Sequence, residues 1–417
     1  MKKLLIILGA GASIEFGMPR VNEIDKLFES WASDYYSLNN KKESKNLYTW
    51  LKETIEKHRE ENAKIETKHE LNFETLLFTM QTISSISNEE NIDYNKSLKA
   101  FIKLNQFPKI ITRYGKVKTA DGDDFKNMQA FLTDKLLIYI RKKCLTLKED
   151  KKDELNKAKQ FFNDLKEDYD LGFINLNYDN VLLNILPDLS TGFNHANGTF
   201  DKTEFYNHKW NFCYHLHGSI HFNMTNEGPV THQITWEKDL DKNFETRASN
   251  RNVNFTSEGN YHLNSTIISG LDKANQLLRA PFRQYFMKID SLINESDAIL
   301  FIGYGFNDMH LNKIFPSHRF SPSKKRNVVV IDYAPESTKA IQMCNSSDWS
   351  HRLFETIPYN CYDMGISKNL PKDETILSYK KNRTFESSRN DKYPISFWYN
   401  GFLEACENSK KFKKELN

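Results

Sequence analysis

Two side chains in this sequence are placed to do chemistry. His217 stands in Leu216-His217-Gly218, at the end of the apolar run Phe212-Cys213-Tyr214-His215-Leu216. An imidazole at such a strand end can serve as a general base near neutral pH. The bland alternative is a satisfied core histidine. His215 lies on the same strand face by alternation and ranks second as a base. Asn177, in Asn175-Leu176-Asn177-Tyr178-Asp179, offers a donor and an acceptor that can orient a hydroxyl or a water. Asn and Asp also occur as ordinary turn residues. Asp179 can accept from hydroxyl groups or cap the helix that follows.

Two more clusters follow apolar runs in the same way. Leu4-Leu5-Ile6-Ile7-Leu8 leads into Gly9-Ala10-Gly11-Ala12-Ser13, and Ala298-Ile299-Leu300-Phe301-Ile302 leads into Gly303-Tyr304-Gly305-Phe306-Asn307-Asp308. Gly9, Ala10 and Gly11 permit close backbone approach to a pyrophosphate, and Ser13 can donate to a phosphate or cap the helix. Gly303 and Gly305 would do the same across the cleft. Asn307 and Asp308 can reach a ribose or start a helix. Asp332, ending Val328-Val329-Val330-Ile331, is a candidate for ribose contacts on the adenine side. Four apolar runs stopping at small or polar clusters mark the edge where open parallel sheets gather ligands, so a nucleotide site is the leading expectation.

The elements that must hold these residues read as an α/β fold, a Rossmann-like parallel sheet with a large helical insertion after the first strand. Continuous apolar runs such as 298–302 and 328–331 suit strands buried on both faces. Helical spacing dominates between them: Val21, Ile24, Leu27, Phe28, Trp31; then Phe73, Leu76, Leu77, Met80, Ile83; then a long pattern from Asp123 to about Leu147. No convincing strand is read between Gly17 and Tyr169. Residues 223–264 read as irregular loops over the site, and helices are expected at 273–294, 336–343 and 395–412, with a short strand at 353–355. The insertion argues against an ordinary dehydrogenase. Ile14 replaces the third glycine of G-x-G-x-x-G, and the next strand, which should end in an acidic residue about 20 residues after the glycines, is far downstream.

Taken together and in order, the motifs resemble those of the sirtuins. Gly9-Ala10-Gly11-Ala12-Ser13 with Phe16-Gly17-Met18-Pro19 is similar to their first nucleotide loop, Asn175–Asp179 to a T-x-N-x-D strand end, Leu216-His217-Gly218 to their catalytic L-H-G, and Gly303–Asp308 to the ribose-contacting glycine turn of bacterial sirtuin-like proteins. The resemblance covers about residues 1–335, apart from the insertion. Deacetylase sirtuins carry a four-cysteine zinc module and Pro-Asp-Phe-Arg after the first loop. Here the five cysteines are scattered and the loop continues Pro19-Arg20-Val21-Asn22. These departures favour the bacterial sirtuin-like NAD hydrolases of antiphage defence, most of all the subunit that pairs with a HerA-type ATPase.

The resemblance implies an NAD+ glycohydrolase that depletes NAD+ in abortive infection, with NAD+ as substrate and no zinc. It makes Asn177 and His217 catalytic. It assigns Gly9, Ala10, Gly11, Ser13, Asp179, Gly303, Gly305, Asn307, Asp308 and Asp332 to cofactor binding. It also implies a homo-oligomer and a possible HerA-type partner. Asn72-Phe73-Glu74, on the insertion, is similar to a motif near the pocket in family members, but core packing and a solvated Glu explain it adequately. The domains expected are 1–335, a sirtuin-like domain with its insertion at 20–170, and 336–417, an extension for assembly or partner contact. A second reading is a platform that binds NAD or ADP-ribose for an ATPase or nuclease partner. A third, a protein deacylase, is disfavoured by the missing zinc cysteines.

Composition sets the outer limits. The chain has 417 residues, 39% hydrophobic and 13% aromatic, which fits a globular protein with an aromatic-rich core. Its 58 basic and 55 acidic residues leave a net charge of +3, no electrostatic mandate for nucleic acid. Scattered cysteines, no signal-peptide pattern and no membrane-length run point to the cytoplasm.

Overall fold

The computed structural model describes residues 1–39, 45–62, 71–87, 106–112, 114–207, 209–226, 232–247, 254–255, 261–270, 273–316, 326–334, 352–353, 355–357, 376–387 and 394–417. Its centre is a seven-stranded sheet: β1 (Lys2–Leu8), β4 (Tyr169–Asn175), β5 (Phe212–His215), β10 (Ala298–Ile302), β11 (Asn327–Ile331), β12 (Glu386–Ser387) and β13 (Ile395–Trp398). The spatial order is β12-β13-β11-β10-β1-β4-β5, all parallel except the edge strand β12. The six parallel strands thus lie in the doubly wound order 3-2-1-4-5-6, with the reversal between β1 and β10. The Rossmann-like sheet expected from the apolar runs is present.

Strand alternation divides the core in two. Leu4, Ile6, Leu8, Leu171, Phe173, Leu300 and Ile302 face one layer, and Leu5, Ile7, Ile174, Ile299, Phe301 and Val330 face the other. The first layer is built by α2 (Val21–Ala32), α3 (Leu47–Asn62), α4 (Phe73–Ser87), α5 (Gly122–Asp150) and α6 (Lys152–Lys166), most of the expected insertion. α5 starts where Asp121 accepts from the Asp124 amide at 3.1 Å and Asp124 accepts from the Asp121 amide at 2.9 Å, a reciprocal cap. The insertion is not wholly helical. β2 (Lys109–Ile111) and β3 (Val117–Thr119) form an antiparallel hairpin that is too short, and too mixed in polarity, to show alternation in sequence.

The stretch 223–264 is likewise not all loop. β6 (Phe222–Asn226) pairs with β7 (His232–Trp236), and β8 (Asn254–Phe255) with β9 (Tyr261–His262). Two short helices, α7 (Val181–Ile185) and α8 (Lys202–Tyr206), lie between β4 and β5. The helix expected at 273–294 is two, α9 (Lys273–Leu277) and α10 (Phe282–Glu295), separated at Pro281, whose ring fits a helix start and not an interior. After β10 comes α11 (Met309–Asn312), and α12 (Ile376–Asn382) precedes β12.

The C-terminal part departs furthest from the sequence reading. Residues 395–398 are the strand β13, buried throughout, and only then come α13 (Phe402–Cys406) and α14 (Ser409–Leu416). The helix expected from 395 gives way to a strand here because a run buried on both faces, with Ile395, Phe397 and Trp398 apolar, has no period that tells strand from helix. The sheet therefore runs past the boundary drawn at 335. Leu353 and Glu355 lie in helical turns where a strand was expected. The helix expected at 336–343 falls outside the described residues. No helix among the described residues is long and apolar enough to cross a membrane.

Candidate functional site

The reversal between β1 and β10 brings two glycine turns together at the carboxyl end of the sheet. Gly9 N–H donates to Ile302 O and Gly11 N–H to Gly303 O, both at 3.0 Å, while the Ala12 and Ser13 amides turn back to Gly9 and Ala10. A Cβ on Gly11 would lie 2.7 Å from the Gly303 Cα, and one on Gly303 (φ +59°) 2.1 Å from the Ala12 nitrogen. These glycines are therefore required by each other's backbone, and the amides of Gly9 and Gly11 are already spent on the neighbouring strand. Ala10 stands exposed at the tip of the turn. The helix after it, α1 (Gly11–Ile14), is one turn long and offers little dipole. A Cβ on Gly305 would meet the side-chain nitrogen of Asn307 at 3.4 Å, an ordinary contact with an exposed residue.

Beneath the first turn, four of the expected residues share one hydrogen-bonded chain. Asn177 Nδ2 donates to Gly9 O at 2.9 Å and to Ser13 Oγ at 3.0 Å, and its amide donates to Asn175 Oδ1 at 3.0 Å. Ser13 in turn bonds to Asp179, whose Oδ1 accepts from the Val181 amide at 3.0 Å at the start of α7. Burial pushes the Asp179 carboxyl above its usual value, against the pull of those two bonds. Asn177 and Ser13 are thus clamps of the first turn, and among the described residues the Asn177 Oδ1 accepts no hydrogen bond.

His217 lies two residues beyond the last register pair, Asn175 with His215, just as Asn177 does on the adjacent strand. Gly218 (φ +101°) makes the turn possible: a Cβ there would meet Thr266 O at 2.3 Å, because the segment through Ile268 crosses over it and donates to His217 O at 2.8 Å. His217 Nε2 is 2.6 Å from Asp308 Oδ2, with both side chains almost fully buried. Asp308 Oδ1 accepts from the His310 and Leu311 amides, each at 3.1 Å, capping α11. Burial alone would raise the Asp308 carboxyl. The bond from His217 and the charges of His217 and Lys273 outweigh it and hold the group well below the ordinary carboxylate range. Asp308 is placed to hold the histidine, a more specific post than the ribose contact expected of it.

Two more residues complete this cluster: Lys273, which the sequence did not single out, and Glu74, which it offered in a pocket-like motif but which read there as a solvated acid. Lys273 Nζ, at the start of α9, lies 3.6 Å from Asp308 Oδ2 and 3.6 Å from Glu74 Oε1. Burial would lower the Lys273 ammonium, but the two carboxylates keep it raised. Glu74 sits in the first turn of α4, after the Asn72 cap, so it is not simply a solvated acid. Lys273 carried no signal beyond its position in a helix.

His215 is a core residue. Burial drives its imidazole down to about 3, and it packs against Cys213, Asn175, Phe222 and Trp236. Asp332 is tied to the β13 turn, donating to Trp398 O and accepting from Gly401, two strands away from β1. Among the described residues no group of three or more His, Cys, Asp or Glu is placed to hold a metal ion.

A solved structure described as a Sir2 homologue mutant in complex with 2'-O-acetyl ADP ribose is 10% identical, with 88% of this chain and 95% of that chain covered, at a TM-score of 0.32. That overlap is loose, and the fold is established by the sheet order itself. No curated protein matches at a significant level. Residues 172–353, which hold Asn177, His217, Lys273 and Asp308, match the SIR2-like domain family.

Proposed function

We propose that the chain is an NAD+ glycohydrolase, cleaving NAD+ to nicotinamide and ADP-ribose. The observation that carries this is the buried 2.6 Å contact between His217 Nε2 and Asp308 Oδ2 at the carboxyl edge of the sheet. Asp308 fixes the proton on Nε2 and leaves Nδ1, which bonds to no described residue, as the basic nitrogen. The bond to be broken is N-glycosidic, through an oxocarbenium-like centre, and nicotinamide departs as a neutral molecule. Water adds to C1 of the ribose as the C–N bond breaks, and its proton passes to His217 directly or through a ribose hydroxyl. The Asn177 Oδ1 is the acceptor that orients the water.

In the cell this activity would deplete NAD+ as an abortive-infection defence against phage. It would act in the cytoplasm as a homo-oligomer, with a HerA-type ATPase as partner. The motifs and the missing zinc cysteines support that setting. The competing reading, a platform that binds NAD or ADP-ribose, draws support from the tethered Asn177 amide, which suits holding more than reacting. Purified protein should release nicotinamide and ADP-ribose from NAD+, and His217→Ala should lower the rate about 10²–10⁴-fold. Tight NAD+ binding with no product from wild type, with and without the ATPase, would leave the platform reading.

A further inference from the structure

Two charged side chains beside His217 and Asp308 have no part in the cleavage as described. Lys273 is 8% exposed. A buried ammonium costs several kcal/mol unless it is paired, and an apolar residue would fill such a place more cheaply. Its two partners come from different parts of the chain. Asp308 caps α11 in the sirtuin-like stretch, while Glu74 belongs to α4 in the insertion. Lys273 approaches the same oxygen, Oδ2, that takes the His217 N–H. The row reads Glu74, Lys273, Asp308, His217, with the charges alternating.

We propose that Lys273 and Glu74 are positioning residues that act on His217 through Asp308: Lys273 partly neutralises the carboxylate holding the imidazole, and Glu74, carried by the helical insertion, partly neutralises Lys273. The placement of α4 thereby sets how firmly Asp308 holds a protonated His217. That gives the insertion a direct hand in the chemistry. The importance of His217 for turnover rests on the glycohydrolase reading, whereas the charge row itself does not.

The groups facing this row are few. Tyr178, between β4 and α7, feels both Glu74 and Asp308, and burial holds its hydroxyl well above its ordinary value. The Tyr304 hydroxyl donates to Asp308 O at 3.4 Å and also bonds to Asn312. His310, on α11, offers its amide to Asp308. His215 on β5 is turned to Cys213 and Asn175. Among the described residues, Lys273 and Glu74 are the charged pair that can act in opposite senses. Removing Lys273's charge leaves Asp308 undiluted, so the imidazole keeps its proton to higher pH. Removing Glu74's charge leaves Lys273 unopposed, so the imidazole loses its proton at lower pH.

The test is a pH titration of full-length protein carrying ¹³Cε1-labelled histidine, with the His217 resonance assigned from the spectrum of His217→Ala. Lys273→Met should displace the His217 midpoint upward and Glu74→Gln downward, each by about half a pH unit or more, with Lys273→Arg close to wild type. Displacement in one common direction, or none, overturns the proposal. Glu74 is partly exposed, so Gln there keeps the packing and gives a usable result even if Lys273→Met does not fold. NAD+ cleavage measured on the same samples separates the two readings. Silence from wild type, with and without the ATPase, together with opposite displacements would sink the glycohydrolase alone, and turnover with an unmoved midpoint would sink this proposal alone.

Discussion

Asp308 has two duties on its two oxygens, and a single substitution separates them. Asn at 308 keeps an acceptor for the His310 and Leu311 amides but removes the carboxylate from His217. Asp308→Asn should therefore keep a near-normal melting temperature while NAD+ cleavage falls about 100-fold or more. Equal loss of both would make Asp308 a structural cap only. Buried His215 and His221 give a second expectation at this scale. Burial pushes them down to about 3 and about 4. Each is neutral when folded and takes a proton on unfolding below its free value, so stability must fall as pH drops from about 6.5 towards 4. Between pH 6 and 5 the slope should approach two protons, roughly 2.7 kcal/mol per pH unit, and His221→Asn should halve it. Urea melts across that range check it. His217 was legible in sequence because its motif names it. Lys273 was not, and Glu74, although its motif was noted, read as a solvated acid, because a charge becomes informative only when the fold buries it opposite another.

Turns were legible at the level of the element, though not for the reason first given. Gly9, Gly11 and Gly303 were read as room for a ligand, yet the space beside each is filled by the others' backbone. Spacing shows that a side chain is excluded, and does not show what excludes it. Gly303→Ala combines a positive φ with a 2.1 Å approach to Ala12, so it should destabilise by about 3 kcal/mol or more, whereas Gly305→Ala, which would make an ordinary contact with the exposed Asn307 side chain, should stay within about 0.5 kcal/mol. If the two variants unfold alike in denaturant, the close contact of the two turns is not what holds this edge. The hairpin within 109–119 was missed because its strands are only three residues long; in that within 222–236, Phe222, Met224, Ile234 and Trp236 do alternate with polar residues, but over too few positions to stand out from the polar stretch around them.

Across the whole molecule, the segment after 394 belongs to the fold. β13 pairs along β11, Glu15 Oε2 accepts from the Phe402 and Leu403 amides at 2.7 and 3.0 Å, and Phe402 and Phe412 pack on Phe161. Each buried aromatic there contributes about 1.5–3 kcal/mol. A chain ending at residue 394 should lose its cooperative thermal transition, and an intact melt would return this segment to the role of an appended arm. Sequence could suggest the sheet from its four loudest strands. It could not place β13, whose pairing partners are fixed only by topology.

That topology also sets a timetable. β1 lies between β4 and β10, so its two partners arrive only after the whole insertion on one side and most of the chain on the other. Contacts this distant in sequence fold slowly, since long loops must close before any pairing is gained. The helices of the insertion can form locally and early. The edge that joins the two glycine turns can form only at the end, so a half-folded chain would hold neither the cleft nor its histidine in working order.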